Sequence, residues 1–205
     1  MELAWRAIAA IARVAVWIGG ALLFAAAAIV SAEVVLRKGL GSLFGSGFVF
    51  SGSDEISAYL FAVGTSLSMA HVLVTRGHVR IDALYGHFGR RTRILLDLLA
   101  LIVLGIFLAA LLERAWDVAS TSYVEQIRSN TPLRMPLAWA QLPWFFGFAL
   151  LGVALVLAVL RTLLALLRGD LATAAATSSA VTQDEEVESE LEGLGIGRDR
   201  EARGS

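Results

Sequence analysis

Three side chains near the middle of the sequence are of the types that ligate a metal or a haem. His71 and His78 are seven residues apart and Asp82 follows four residues later, a spacing that puts them on one face if a helix continues that far. Haem in a helical bundle takes axial ligands from facing helices, but the remaining histidine, His87, lies in the same loop. A metal site needs a fuller ligand set with supporting hydrogen bonds. We therefore predict no metal and no cofactor, with a haem- or metal-binding membrane subunit as an alternative.

Other catalytic arrangements are missing from the sequence. The chain has no cysteine, which excludes disulfides, thiol nucleophiles and thiolate metal sites. It has neither a Gly-x-Ser-x-Gly turn nor a glycine-lysine loop that cradles phosphate. Asp82 and Asp97 are isolated from other acids, whereas divalent-metal chemistry on a lipid headgroup requires clustered acids. We predict that the protein is not an enzyme.

The elements that must position these residues are long apolar segments. Hydrophobic side chains make up 57% of the 205 residues and charged side chains only 17%. A helix needs about 20 mainly apolar residues to cross a bilayer. Four segments meet this requirement: residues 14–36, 56–75, 94–112 and 142–167. The sequence predicts an all-α integral membrane protein with four helices in residues 1–168, followed by an acidic tail, residues 169–205, that we expect to be disordered and cytoplasmic.

The Lys and Arg residues that flank the four segments predict their orientation. Nine lie beside the N-terminus, the 75–93 loop and the end of the fourth segment, and five lie on the opposite side. Because the richer side faces the cytoplasm, both termini are expected there. An alternative is that Val30-Ser31-Ala32 ends a cleaved secretory signal, which would leave three spans and place the new N-terminus outside.

The second segment is the least lipid-like of the four. It contains small or polar residues at six positions: Ser57, Gly64, Thr65, Ser66, Ser68 and His71. Such residues let helices approach closely, either within one bundle or against another membrane protein. The sequence leaves both possibilities open. Ser53 or Asp54 is expected to cap the start of this helix.

Ionisable residues lie near the ends of the predicted spans and not at mid-membrane. Asp97 is close to three arginines and is expected to form an interfacial salt bridge with them. Glu33, Glu113 and Arg161 are expected to reach the headgroups. The sequence therefore indicates no ion path within this chain.

The two loops on the predicted outer side differ in character. Residues 37–54 are rich in glycine and serine but carry apolar side chains, so we expect this loop to dip into the membrane interface or to pack on a partner. The third segment is expected to continue as a helix to Arg128, after which Pro132, Pro136 and Pro143 impose an extended path. Trp139, with Trp144, Phe145 and Phe146, is typical of an interfacial aromatic belt.

Several short motifs, in order, resemble the DctQ-type small membrane subunit of tripartite ATP-independent periplasmic (TRAP) transporters. Arg37 follows the first span and Asp54-Glu55 opens the second. Two longer motifs follow: Arg76-Gly77-His78-Val79-Arg80-Ile81-Asp82 and Ser129-Asn130-Thr131-Pro132-Leu133-Arg134-Met135-Pro136. Trp139, Pro143 and Gly147 complete the match, which covers residues 10–168. The glycine-rich 39–53 loop is longer than is usual in that family.

The resemblance implies partners and not an active site. In that family a large permease subunit carries the substrate and sodium sites and moves in an elevator-like manner, and a periplasmic binding protein delivers a carboxylate or similar organic anion. The small subunit anchors and orients the large one in the bacterial inner membrane. A freestanding small channel or transporter is the alternative function.

The expected contacts with partner subunits or lipid follow from the motifs that carry the resemblance. They are Arg37, Glu55, Arg76, His78, Arg80, Asp82, Arg128, Pro132, Pro136 and Trp139. His78 and Arg80 are expected to meet anionic headgroups or backbone carbonyls of the partner. Asp82 is expected to cap the following helix or to pair with Arg76 or Arg80.

Overall fold

The computed structural model describes residues 2–40, 52–77 and 89–170, together with residues 173 and 177. Four α-helices account for most of this part of the chain: α1, Glu2–Val35; α2, Ser53–Val74; α3, Arg90–Val124; and α4, Ala138–Leu167. A π-helical turn, Leu36–Leu40, continues α1. All four helices are long and apolar enough to cross a membrane, which confirms the predicted all-α membrane architecture.

The helices lie side by side in the order α1, α2, α4, α3. α2 packs against α1 on one side and against α4 on the other, whereas α3 packs chiefly against α4. We call the end where α1 and α3 finish and α2 and α4 begin the distal end, and the opposite end the proximal end. Residues 41–51, residues 78–88 and most of the tail, on which several predictions fall, lie outside the described residues.

Small residues of α2 bring its backbone against both neighbours. A Cβ atom added to Gly64 would lie 2.8 Å from the carbonyl oxygen of Gly19 in α1, and one added to Gly147 in α4 would lie 2.7 Å from the carbonyl carbon of Ser66. Neither approach is possible for a larger residue at these positions. The small side chains of α2 therefore serve packing within its own bundle, which was one of the two possibilities left open by the sequence.

Larger apolar side chains fill the rest of the core. Leu101 and Leu108 of α3 form one buried cluster with Leu151 and Leu155 of α4. The same cluster reaches α1 and α2 near the proximal end through four residues: Ile8, Ala12, Ala70 and Leu73. α1 is therefore packed from its first turns, well before the predicted span begins at residue 14.

Two ionisable residues that were expected at the membrane interface are instead enclosed by the protein. Asp97 is fully buried within α3. Arg161 of α4 forms a 3.0 Å ion pair with Glu2 and lies 5.2 Å from the ring centroid of Trp5. Arg161 was expected to reach the headgroups; in the structure the first turns of α1 cover its guanidinium group.

Three predicted details of the helix ends also need correction. The residue that caps α2 is Gly52, without a side-chain hydrogen bond, because the Ser53 hydroxyl is directed to another helix. α3 ends at Val124, before Arg128. Pro143 lies inside α4 and not in an extended segment; as the sixth residue of that helix it removes a donor only from the early turns.

Candidate functional site

The polar residues at the distal end form two groups. The members of each group are hydrogen-bonded to one buried carboxylate. The first is Glu33, in the last turns of α1, whose residue is 8% exposed. Its carboxylate accepts hydrogen bonds from Arg37, one helical turn later, and from the hydroxyl of Ser53 at the start of α2. Glu33 was expected to reach the headgroups. In the structure its hydrogen bond with Ser53 links α1 to α2.

The second carboxylate is Glu55, which lies in the first turn of α2, two residues after Ser53, and is only 5% exposed. It accepts a 2.7 Å hydrogen bond from the Tyr59 hydroxyl and another from the hydroxyl of Thr131. Tyr59 reaches it because residues four apart share a helix face. Thr131 belongs to the loop between α3 and α4, so Glu55 fastens this loop to α2.

The loop after α3 folds back on itself before α4 begins. An isolated antiparallel bridge pairs Arg128 with Pro136, with hydrogen bonds from Ser129 N to Met135 O at 3.0 Å and from Leu137 N to Ile127 O at 3.0 Å. We call residues 127–137 the distal loop. Within it the Ser129 and Thr131 hydroxyls lie 2.9 Å apart, which continues the network from Glu55.

The distal loop presents a mixed basic and apolar surface. Arg128, Pro132 and Arg134 are exposed, and Trp139 at the start of α4 is 72% exposed. Arg134 adopts a left-handed backbone conformation with φ of 48°. The next residue, Met135, accepts the hydrogen bond from Ser129 N. The Thr131 hydroxyl is bonded to Glu55 and the backbone is bridged between Arg128 and Pro136, so the backbone of the loop is held in a defined position.

The structure thus separates the predicted contact residues into two sets at the distal end. Arg37 is 57% exposed and Arg128, Pro132 and Trp139 are exposed, while Pro136 is half-buried. Glu55 is buried and its carboxylate is engaged by two hydrogen bonds within the chain. That it contacts a partner stays a prediction, whereas its internal role is visible.

The proximal motif begins where α2 ends. Arg76 has φ of 59°, and the hydrogen bonds from Arg76 N to Leu73 O at 3.2 Å and from Gly77 N to Val72 O at 2.9 Å form the Schellman arrangement that ends many helices. His78, Arg80 and Asp82, which were predicted to complete this site, lie outside the described residues. Their roles remain predictions.

His71 is the histidine of the candidate metal-ligand set that lies in the described part of the chain. Within residues 2–40, 52–77 and 89–170, no group of three or more His, Asp or Glu side chains comes together in a way that could hold a metal ion. His71 is half-buried in the last turns of α2, and its Nδ1 atom has no hydrogen-bond partner in the described part of the chain.

Sequence reasoning missed the two groups that connect the distal end. Ser53 and Thr131 were considered as a cap and as part of a motif, and neither was paired with a carboxylate. Two spacings pointed in this direction: Glu33 and Arg37, like Glu55 and Tyr59, are four residues apart on one helix face. The Glu55–Thr131 contact joins residues 76 positions apart, which no local pattern encodes.

The comparison with protein families gave one match. The model described as "Tripartite ATP-independent periplasmic transporters, DctQ component" matches residues 26–165, more than half of the chain. The matched region runs from the second half of α1 to the last turns of α4 and includes the distal loop. Comparisons with curated proteins and with solved structures gave no match.

Proposed function

Because the chain belongs to the DctQ component family of tripartite ATP-independent periplasmic transporters, we propose that it is the small, non-catalytic membrane subunit that holds and orients a larger permease subunit. The permease subunit carries the substrate and the coupling sodium ions. A periplasmic binding protein delivers a carboxylate or similar organic anion to it. The assembly lies in the inner membrane of a bacterium.

The distribution of charge favours a structural role for this chain and argues against transport by the chain itself. No Asp, Glu, Lys or Arg occurs in residues 14–32, 56–70, 98–112 or 138–160, the central parts of the four helices. Ion-coupled transporters place ionisable groups or broken helices near the middle of the bilayer. The buried carboxylates of Glu33 and Glu55 instead join helix ends.

The observation that carries the proposal is the fastening of the distal loop. Its exposed Arg128 and Pro132 are held by a backbone bridge and by the Thr131 hydrogen bond to Glu55. A surface that is already ordered loses less conformational entropy when it binds, so it suits recognition of a protein. We propose that this loop, with Arg37, Pro136 and Trp139, contacts the permease subunit or the docked binding protein.

The proximal motif is the second proposed contact. Arg76, His78, Arg80 and Asp82 follow α2 on the side that carries nine of the flanking basic residues. We propose that this side and both termini are cytoplasmic, and that α1 is not cleaved off as a secretory signal. Packing of α1 from Ile8 onward and the Glu2–Arg161 ion pair support retention, since cleavage after Ala32 would remove both.

The first test is a mild-detergent pull-down of the tagged full chain from its native membrane, with the co-purifying proteins identified. A stoichiometric membrane protein of much greater length is the expected result. Recovery of the chain alone in several detergents, combined with substrate transport by the chain alone in liposomes, would instead support a freestanding transporter.

The proximal motif is tested with Asp82→Ala. We expect this variant to insert normally but to co-purify less of the large subunit and to reduce uptake, because the motif loses its only acid. Asp117→Ala, which removes a 58% exposed acid from α3, is the matched control and should leave both measurements unchanged. Normal uptake and assembly by Asp82→Ala would rule out a role for this acid.

A further inference from the structure

A crevice of about 270 Å³ lies beneath the distal loop, between α1, α2 and α4. Its walls come from every one of these elements, and nine residues line it. On α2 they are Ile56, Tyr59, Leu60 and Val63; the others are Leu22, Met135, Trp139, Ala140 and Pro143. None of these side chains is charged.

The crevice is elongated along the helices. Its α2 wall consists of residues 56, 59, 60 and 63, which occupy one helix face over two turns, or about 10 Å along the axis. The tyrosine hydroxyl, the main polar group among the lining side chains, is already bonded to Glu55. The crevice therefore offers an apolar channel that runs along α2 and has few polar groups to recognise a ligand.

A cation lies near the part of the crevice wall that the distal loop contributes. The Nη1 atom of Arg128 is 3.5 Å from the carbonyl oxygen of Arg134, and the next residue, Met135, forms part of the wall. Arg128 is exposed and is in no ion pair within the described part of the chain. Trp139, which also lines the crevice, is 72% exposed although it is a large aromatic residue.

We propose that this crevice binds one acyl chain of an anionic phospholipid, with the lipid phosphate held by Arg128. A chain that runs parallel to the helices matches the elongated apolar walls, and its headgroup then reaches the level of the distal loop. A guanidinium group recognises phosphate through charge-assisted hydrogen bonds, which gives preference for an anionic lipid. This site shares Arg128 and Trp139 with the protein contact surface proposed above.

Two substitutions divide the site into its parts. Arg128→Gln removes the cation, and Ala140→Phe fills the channel. Arg114→Gln, which removes a 79% exposed arginine of α3, and Val153→Phe, which enlarges a 53% exposed residue of α4 away from the crevice, are the matched controls. Each variant is compared with the wild type by elution volume and thermal unfolding before lipid is added.

The first experiment is native mass spectrometry of the full chain, purified together with any partner and titrated with phosphatidylglycerol or phosphatidylcholine. We expect Arg128→Gln to weaken phosphatidylglycerol binding by about tenfold, the loss of one ionic hydrogen bond, with little effect on phosphatidylcholine. Ala140→Phe should weaken both, and the controls neither. Wild-type binding by both test variants would overturn the proposal.

A second experiment does not depend on altering the crevice. Two single-tryptophan proteins keep either Trp139 or Trp17, which is 77% exposed on α1, with the other tryptophans replaced by Phe. Phosphatidylglycerol with brominated chains should quench Trp139 more than equally brominated phosphatidylcholine does, and should show no such preference at Trp17. Equal quenching by both lipids at Trp139 contradicts the site. Intact lipid binding but loss of a co-purifying protein in Ala140→Phe would assign the crevice to a protein partner instead.

Discussion

α2 and α3 both have the length to cross a membrane, but the protein holds them by different means. Most of the buried positions of α2 are small or polar, among them Ser57, Gly64, Ser66 and Ala70, and its backbone touches helices on both sides. In the apolar cluster that it shares with α4, α3 contributes leucine side chains, and it exposes many large apolar residues elsewhere. The start of α2 is also bonded to the distal loop through Glu55.

The difference teaches what each kind of contact tolerates. In a bilayer, apolar side chains gain little from leaving lipid, so helices associate through close packing and hydrogen bonds. Contact between backbones at Gly64 and Gly147 leaves no space for even one methyl group. Contact through leucine side chains can adjust by changes of rotamer. α2 should therefore be sensitive to small substitutions that α3 accepts.

The largest effect is expected from Gly147→Ala. The new methyl group would lie 2.7 Å from the Ser66 carbonyl carbon, so α2 and α4 must separate, at a cost of about 3 kcal/mol. Thermal unfolding in detergent measures this loss. Gly20→Ala is the control, because a Cβ atom there meets nothing within 4 Å. Equal stability of the two variants would contradict the close α2–α4 contact.

An intermediate effect is expected from Thr131→Val, which keeps the shape of the side chain and removes its hydrogen bond to Glu55. The cost is about 1.5 kcal/mol, since a bond to a carboxylate is lost. Hydrogen exchange should become faster in residues 127–137. Thr121→Val, on the exposed face of α3, should leave exchange in the distal loop unchanged. Unchanged protection in Thr131→Val would mean that the backbone bridge alone holds the loop.

The smallest effect is expected from Gly105→Ala in α3. Its Cβ atom would lie 3.5 Å from Leu155 Cδ2, an ordinary contact with a flexible side chain. The unfolding free energy should change by less than about 1 kcal/mol, because alanine also favours the helix. A loss as large as that of Gly147→Ala would show that α3 and α4 are as closely packed as α2 and α4.

The sequence predicted the four helices because their signal is local: long apolar runs bounded by charged or polar residues. It also identified the family through the ordered motifs from Arg37 to Gly147, and the family match over residues 26–165 confirms that resemblance. The small residues of α2 indicated close packing, but not which neighbour they meet. That choice depends on the order of helices in space, which the periodicity of one helix does not contain.

The candidate site was predicted less well, for a related reason. Serine is a common capping residue, so the sequence predicted that Ser53 caps α2. In the structure the Ser53 hydroxyl donates its hydrogen bond to the buried carboxylate of Glu33, which needs a partner because it is buried. Arg161 was expected at the headgroups because it lies near a helix end, but the first turns of α1 cover it. In both cases a contact distant in sequence replaced the solvent or lipid that local reasoning assumes.

The order of helices in space also bears on how the protein is made. Chains emerge from the ribosome N-terminus first, so α2 enters the membrane when its neighbour α1 is already present. α3 enters before α4, the helix against which it chiefly packs. During that interval α3 has to remain in lipid on its own hydrophobicity. The membrane-spanning part of α3 is the most apolar of the four and that of α2 is the least apolar, which agrees with this order of insertion.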